Sequence, residues 1–185
     1  MELETQKFLR SGKSLDDLYT QYAVASRRHS QYNNLVLLKY SQIDSPMGEN
    51  IVHESRGLIL DEAEDWRTIC YSFKKFFNYG ESHAAIIDWS TASVQEKLDG
   101  SLCTLYWYNG QWNVSTSGSP DAGGNVNDLP DLTFAKLFWK TFTEQGLKVP
   151  PYSDVDLNYM FELMTPYNRI VVRHIDCKVK LIGIR

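Results

Sequence analysis

Two runs rich in β-branched and aromatic residues, 101–108 and 111–116, are separated only by Asn109 and Gly110. Asn-Gly is the strongest short-range signal for a two-residue β-hairpin, because both central residues of that turn need positive φ. The pattern predicts a tight hairpin in the middle of the chain. Antiparallel pairing is therefore the main constraint on any fold that this sequence can adopt.

Further segments have the composition of strands with turn residues between them. They are residues 35–40, 57–60, 69–73, 159–163, 169–173 and 178–184. Strands far outnumber parallel crossover units, and the sequence shows no internal repeat. We therefore expect the α+β class, with mostly antiparallel sheets and flanking helices.

Two helices are predicted. The first begins after Ser14, which can cap it, and continues to about Arg28 with apolar residues on one face. The second covers residues 132–145 and ends at Gly146. Residues 117–130, rich in Gly, Ser, Asn, Asp and Pro, are predicted to form a flexible loop.

The 185 residues, 43% of them hydrophobic, suffice for one domain with a sizeable core. The chain contains no apolar run of about 18 residues, and its first four residues do not resemble a secretory leader. We therefore expect a cytoplasmic protein without a membrane anchor. The widely spaced Cys70, Cys103 and Cys177 are interpreted as reduced core thiols, and the scattered histidines as surface or core residues without a metal.

The net charge of −4 argues against a globally basic coat for nucleic acid. Local basic clusters can still attract phosphates, because the local field matters more than the total charge.

Directly before the hairpin the chain contains Lys97, Asp99 and Gly100, in the sequence Lys-Leu-Asp-Gly-Ser. A lysine amine can attack phosphorus only when burial or a neighbouring cation lowers its pKa from about 10.4. A Lys-x-Asp-Gly match by itself is weak evidence for a catalytic lysine. Other motifs in the chain are needed to support that interpretation.

Four other segments accompany this lysine in a defined order. They are Glu-Ser-Arg-Gly at 54–57, Lys-Phe-Phe-Asn-Tyr-Gly-Glu at 75–81, Thr-Ser-Gly-Ser at 116–119 and Phe-Glu-Leu-Met-Thr-Pro-Tyr-Asn-Arg-Ile-Val-Val at 161–172. With them the chain resembles the ATP-dependent RNA ligases of the T-even bacteriophage RNA ligase 1 family, which belong to the covalent nucleotidyltransferases. The resemblance runs from about Tyr40 to Arg185.

The resemblance implies the antiparallel fold of a ligase adenylation domain and a three-step reaction that uses ATP and Mg²⁺. Lys97 would attack the α-phosphorus of ATP, release pyrophosphate and hold AMP through a phosphoramide bond. AMP would then pass to an RNA 5′-phosphate, and an RNA 3′-hydroxyl would displace it. The partner would be RNA with these two ends, tRNA being one candidate, in RNA repair.

The resemblance also assigns roles near the nucleophile. Asp99 would orient Lys97 and the nucleotide or, with Mg²⁺ and water, stabilise developing charge; the alternative is that it only forms the turn before Gly100. Gly100 would belong to the nucleotide-binding set. Arg56 and Lys75 would hold phosphates, because fixed positive charge stabilises phosphoryl transfer. No metal ligands are assigned.

Three further residues would bind the nucleotide by the same resemblance. Gly57 would keep the backbone close to the nucleotide, Glu162 would accept a hydrogen bond from the ribose hydroxyls, and Tyr40 would lie near adenine. The alternatives are a solvated carboxylate for Glu162 and ordinary strand packing for Tyr40. Phe76 and Phe77 are predicted to be core residues.

Departures from the family pattern leave alternatives open. Ser117 stands where relatives commonly have a lysine. The family also continues with Glu-Gly-x-Val and Lys-x-Lys strands, which are not present in residues 1–185. We therefore expect the N-terminal part of an adenylation domain, incomplete at its C-terminus, as a fragment with a missing C-terminal segment. A split enzyme completed by a second polypeptide and a decayed relative are the alternatives.

Two other functions are weighed against the ligase. One is a nucleotide- or RNA-binding module without catalysis, and the other is a nucleotidyltransferase of the capping or DNA-ligase type. The second is disfavoured because Lys-Phe-Phe-Asn and Pro-x-Asn-Arg-Ile-Val match RNA ligases better.

Overall fold

The computed structural model describes residues 2–127 and 129–185. Its helices are α1 (Glu4–Arg10), α2 (Leu15–Tyr22), α3 (Asn50–Glu54) and α4 (Phe134–Glu144). Its strands are β1 (Val24–Arg28), β2 (Leu35–Tyr40), β3 (Arg56–Asp61), β4 (Arg67–Cys70), β5 (Ser101–Tyr108), β6 (Gln111–Thr116), β7 (Asn125–Val126), β8 (Leu129–Thr133), β9 (Tyr159–Met164) and β10 (Lys178–Ile184).

The strands form two four-stranded sheets and one two-stranded ribbon. The order is β1-β2-β3-β4 in the first sheet, here the N-terminal sheet, and β10-β9-β5-β6 in the second, here the hairpin sheet; β7 and β8 form the ribbon. Every described pair of strands is antiparallel. The predicted α+β class with antiparallel sheets is confirmed.

The central hairpin forms as predicted. Asn109 and Gly110 have φ of 49° and 78°, and β5 and β6 pair directly around them, with Trp107 opposite Trp112. The bounds of β5 and β6 are the predicted ones. The sequence was sufficient here because the turn requirement is local.

The molecule has four layers, because each strand directs alternate side chains to opposite faces. On the outer face of the N-terminal sheet, residues such as Leu38 and Leu58 pack under α1, α2 and α3. On its inner face, Leu37 and Ile59 meet Tyr106 of the hairpin sheet. Helix α4 covers the far face of the hairpin sheet through a cluster that includes Phe138.

The first predicted helix is shorter than expected. Ser14 caps it through its side chain, which accepts a hydrogen bond from Asp17 N at 3.0 Å. The helix ends at Tyr22, because Ala23 adopts a left-handed conformation with φ of 51°. The prediction that it continues to Arg28 was wrong: residues 24–28 pair with β2 as strand β1, and this pairing is not visible in the local helical pattern.

The predicted strand at 169–173 is absent from the described structure, and this prediction was also wrong. The backbone N–H groups of Val171 and Val172 donate to Asp99 Oδ2 at 2.8 and 2.6 Å. A side chain distant in sequence therefore takes the donors that a strand would use in a sheet.

Smaller differences concern the other connections. The predicted loop 117–130 contains β7 and the start of β8, while Asp128 lies outside the described residues. Strand β4 ends at Cys70 and not at residue 73, because Tyr71 N donates to Asn158 Oδ1 at 2.8 Å. Helix α4 is confirmed, with Gly146 at its end at φ of 70°.

Cys70 and Cys103 are buried in the core as predicted, and Cys177 is half-buried. None of the helices in the described ranges combines the length and the apolar character needed to cross a bilayer.

Gly100 determines how closely the segment before β5 approaches β9. A Cβ at this position would overlap the carbonyl oxygen of Leu163 and lie 2.9 Å from its carbonyl carbon. Leu163 pairs with Ser101, the next residue. Only glycine fits here without moving a backbone segment.

We predict that Gly100→Ala destabilises the protein by about 2 kcal/mol or more, because backbone atoms cannot yield as a flexible side chain can. Urea unfolding followed by circular dichroism measures the change. Gly124→Ala is the control, since a Cβ there meets no atom within 4 Å. Equal stability of the two variants would contradict the packing argument.

Candidate active site

A cavity of about 1180 Å³ lies between the two sheets. The N-terminal sheet contributes Lys39 and Arg56 to its wall, and the hairpin sheet contributes Glu162 and Lys180. The segment before β5 adds Lys97. Residues from widely separated parts of the chain therefore meet in one place.

The wall on the hairpin sheet follows from strand alternation. Leu102 lies opposite Glu162 between β5 and β9, and Glu162 lies opposite Lys180 between β9 and β10. Directly opposite residues share a face. Leu102 is also on the same face of β5 as Tyr106, which packs against the N-terminal sheet. The row Leu102–Glu162–Lys180 thus continues the face between the sheets into the cavity.

The wall on the N-terminal sheet depends on a bulge at Gly57. Leu38 pairs with Leu58, but Lys39 pairs with Arg56, so Gly57 is the extra residue of β3. Its φ is 81°, and a Cβ would lie 2.9 Å from Ser117 Cα. A bulge redirects neighbouring side chains. Here it turns Arg56 to the inner face of the sheet, where the cavity lies.

Within the described residues, Arg56 is a cation without a carboxylate or other hydrogen-bond acceptor. None of the described residues accepts a hydrogen bond from its side chain, and its Nη1 atom is buried. Its guanidinium carbon lies 4.9 Å from the centre of the Phe76 ring. An unpartnered buried donor is costly, so Arg56 fits a site for an anionic ligand.

Phe76 was predicted to be a core residue, and this prediction was wrong. Its side chain is 62% exposed and lines the cavity. The guanidinium of Arg56 covers its ring, which explains why an aromatic residue remains at the surface. Phe77 is half-buried beside His53.

Glu162 is half-buried in the cavity wall. Burial raises the pKa of its carboxyl, and the Gly100 N–H and the cations of Lys97 and Arg56 oppose this rise in part. Gly100, Lys97 and Arg56 are therefore close enough to Glu162 to stabilise its carboxylate.

Lys97 is exposed in the cavity, whereas the Asp99 carboxylate is engaged elsewhere. The hydrogen bonds from the backbone of Val171 and Val172 hold the pKa of Asp99 below its usual range. His174 Nε2 lies 2.6 Å from the Asp99 carbonyl oxygen. Asp99 therefore fastens the segment after β9 to the segment that carries Lys97.

A second contact joins the same two segments. Asn168 Nδ2 donates to Ser101 Oγ at 3.0 Å, and Asn168 Oδ1 accepts from Asn127 Nδ2 at 2.8 Å. The motifs around Lys97 and Asn168 are thus in direct contact. Asn168 therefore helps to form the site by joining these segments through hydrogen bonds.

The structure does not bring Lys75 or Tyr40 into this cavity. Lys75 Nζ donates to the Phe76 carbonyl at 2.8 Å and lies 4.4 Å from the centre of the Phe77 ring. Tyr40 packs against the core under the helices and lines a separate cavity of about 500 Å³. Burial raises the pKa of Tyr40, and the charge of Arg56 opposes the rise.

The chain is similar to known proteins over most of its length. A family model described as RNA ligase matches residues 54–185, which include Arg56, Lys97, Glu162 and Lys180. The chain belongs to this RNA ligase family. An RNA ligase of Rhodothermus phage RM378 is 33% identical over an alignment of 163 positions, and this alignment covers 70% of the chain and 36% of the relative.

A second relative comes from Autographa californica nuclear polyhedrosis virus and is described as a bifunctional polynucleotide kinase/RNA ligase. It is 28% identical over an alignment of 185 positions, and this alignment covers 91% of the chain and 26% of the relative. The chain thus spans about a third of the length of the first relative and about a quarter of the second.

Sequence analysis assigned no individual role to several cavity residues of this ligase-family chain, which include Lys39, Glu96, Phe134 and Lys180. Lys39 follows the apolar run of β2 and belongs to no motif. Its sequence signal is a lysine at the end of a buried strand, which is too common to single it out.

The described residues contain no cluster of three or more His, Cys, Asp or Glu side chains that could hold a metal ion. The carboxylates that line the cavity are Glu96 and Glu162. A magnesium ion bound with a nucleotide takes most of its ligands from phosphates and water and needs only one or two carboxylates. Glu96 and Glu162 would therefore be the residues to hold it.

We predict that Glu162→Gln raises the melting temperature of the ligand-free protein at pH 7. Because burial raises the folded-state pKa of this carboxyl, its stabilising contribution exists at low pH and is lost as the pH rises through that pKa. The advantage of the variant should shrink as the pH falls through this raised pKa and disappear below about 4, the ordinary glutamate range.

Thermal unfolding between pH 3.5 and 8 measures this difference. Glu144→Gln is the control, because Glu144 is exposed and forms only a long surface pair with Lys140, with an N–O distance of 3.9 Å. Such a pair contributes little to stability. A pH-independent difference between Glu162→Gln and the wild type would contradict the role of burial.

Proposed function

We propose that this chain provides the nucleotide-binding, self-adenylating part of an ATP-dependent RNA ligase, within an adenylation domain of the nucleotidyltransferase type. The observation that supports this best is the convergence of Lys97, Arg56, Glu162 and Lys180 on one cavity between the two sheets. A nucleophile, fixed cations and a carboxylate are the groups that nucleotidyl transfer to a lysine requires.

In the first step, Lys97 Nζ attacks the α-phosphorus of ATP. A nitrogen–phosphorus bond forms, the bond from the α-phosphorus to the bridging oxygen breaks, and pyrophosphate leaves with the bonding electrons. The ammonium must lose one proton before the attack and a second as the phosphoramide forms, and water accepts both. Lys97 is exposed in the ligand-free protein, so the cations that line the same cavity, Arg56 and Lys180, are the neighbours that a nucleophilic lysine requires. AMP remains on Lys97 as a phosphoramide.

The neighbouring residues stabilise this step. Arg56 and Lys180 supply positive charge that is in place before negative charge develops, so no dipoles need to reorient. Glu162 accepts a hydrogen bond from the ribose hydroxyls. Magnesium, held at Glu96 and Glu162 with the phosphates, would supply further charge neutralisation.

Other predicted site residues act less directly in this proposal. Asp99 positions Lys97 by fastening the segment around Val171 to it. Gly57 and Gly100 allow the close backbone approaches that shape the walls. Lys75 lies beside Phe76 and can reach pyrophosphate only by leaving the Phe76 carbonyl. Tyr40 lines a separate cavity, so no role in binding adenine is proposed for it.

The names of the two relatives support RNA as the final acceptor. AMP would pass from Lys97 to an RNA 5′-phosphate, and a 3′-hydroxyl would then displace it, with tRNA as one candidate substrate.

We predict that the purified whole gene product forms a covalent AMP adduct with ATP and Mg²⁺, and that Lys97→Ala reduces it below detection. Lys97→Arg should also be inactive, because an arginine keeps the charge but cannot be deprotonated. ATP labelled at the α-phosphate, a denaturing gel and peptide mapping provide the measurement.

Lys140→Ala, a substitution on the exposed face of α4, is the control and should keep the full adduct. Label on a lysine other than Lys97 would refute the assignment. Reversible binding of ATP without any adduct would instead support a nucleotide-binding module without catalysis.

We also predict that Arg56→Lys weakens binding of a non-hydrolysable ATP analogue about tenfold, because lysine lacks the planar fork that suits phosphate. The melting temperature without ligand should stay within a few degrees of the wild type, since no protein group accepts a hydrogen bond from Arg56 among the described residues.

Isothermal titration calorimetry measures the affinity. Arg28→Lys is the matched control, because Arg28 pairs with Glu62 on the surface. Loss of the cooperative unfolding transition in Arg56→Lys, with unchanged affinity in the folded remainder, would make Arg56 a structural residue.

A further inference from the structure

Lys39 and Arg56 form a pair of like charges on neighbouring strands. They lie directly opposite each other across β2 and β3, and both line the cavity. Like charges in this arrangement destabilise a sheet. No carboxylate among the described residues lies within ion-pair distance of either side chain. The fold therefore keeps two adjacent cations whose repulsion a bound anion would relieve.

The position of the Lys39 amine is set by the turn after β6. A Cβ at Gly118 would lie 3.2 Å from Lys39 Nζ, so the glycine leaves room for the amine at the cavity wall. Arg27 Nη1 donates to the Gly118 carbonyl oxygen at 3.4 Å. Ser117 brings no charge to this wall, and Lys39 supplies a positive charge from β2 of the other sheet.

We propose that Lys39 is a phosphate-binding residue of this site and acts with Arg56 as a two-cation clamp for the polyphosphate chain of the nucleotide. Two cations on directly opposite residues suit a ligand with closely spaced anionic groups. The Gly57 bulge is the device that creates the clamp, because it brings Arg56 opposite Lys39 on the inner face. This role deepens the proposed function, on which it rests for the identity of the nucleotide.

Inorganic tripolyphosphate tests the clamp without any need for adenylation. By calorimetry at low ionic strength, Lys39→Gln should bind tripolyphosphate about tenfold more weakly or worse than the wild type, as expected for the loss of a charge-assisted hydrogen bond. Lys140→Gln, on the surface of α4, should bind as the wild type does. The wild-type affinity should fall with added salt.

Two further measurements separate binding from folding. Without anion, Lys39→Gln should melt at the same temperature as the wild type or higher, because the repulsion of Arg56 is removed. The double variant Lys39→Gln/Ser117→Lys should regain tripolyphosphate affinity, since position 117 lines the same wall. A purely structural role for Lys39 would not be rescued by a new cation there.

The proposal is overturned if Lys39→Gln binds tripolyphosphate within twofold of the wild type, or if its weaker binding accompanies a lower melting temperature without rescue by Ser117→Lys. Lys39-dependent tripolyphosphate binding in a protein that forms no AMP adduct on Lys97 would refute the proposed catalytic function and support the clamp. The two hypotheses therefore fail separately.

Discussion

The contact between the inner faces of the two antiparallel sheets is the interaction on which the rest of the structure depends. Leu37 and Ile59 meet Tyr106 there and hold the sheets together. Beyond this cluster the two sheets contribute Lys39 and Arg56 on one side and Glu162 and Lys180 on the other to the lining of a cavity. The candidate site is this cavity, and its walls are the continuations of the same strand faces. The contact between the sheets and the walls of the candidate site thus both follow from the alternation of side chains along the strands.

The electrostatics of the cavity contrast with those of the whole chain. The net charge is −4, yet Lys39, Arg56, Lys97 and Lys180 line the same cavity. Fixed cations in a concave, partly desolvated site act more strongly on phosphate than they would at an open surface. The half-buried Glu162, whose pKa burial raises, adds the opposite charge. Such an arrangement costs stability in the free protein and suits a site that binds an anionic ligand.

Agreement between sequence and structure is best where the controlling interaction is local. The Asn109–Gly110 turn specifies its hairpin through the φ angles of its own residues. The disagreements arise where a distant group decides. Residues 24–28 become a strand because β2 pairs with them, and residues 169–173 are not a strand because Asp99 takes two of their N–H groups.

The sequence by itself determined the α+β class, the hairpin and the motifs that indicated an RNA ligase. Each of these depends on residue types close together in the chain: turn residues, strand periodicity and the residues of each motif. Only the tertiary structure decided which side chains share the cavity. It placed Lys39 and Phe76 at the wall, left Lys75 and Tyr40 outside, and turned the Asp99 carboxylate toward a backbone segment. The physical reason is that register, a one-residue bulge and the packing of the two sheets against each other set these positions, and each depends on strands far apart in the chain.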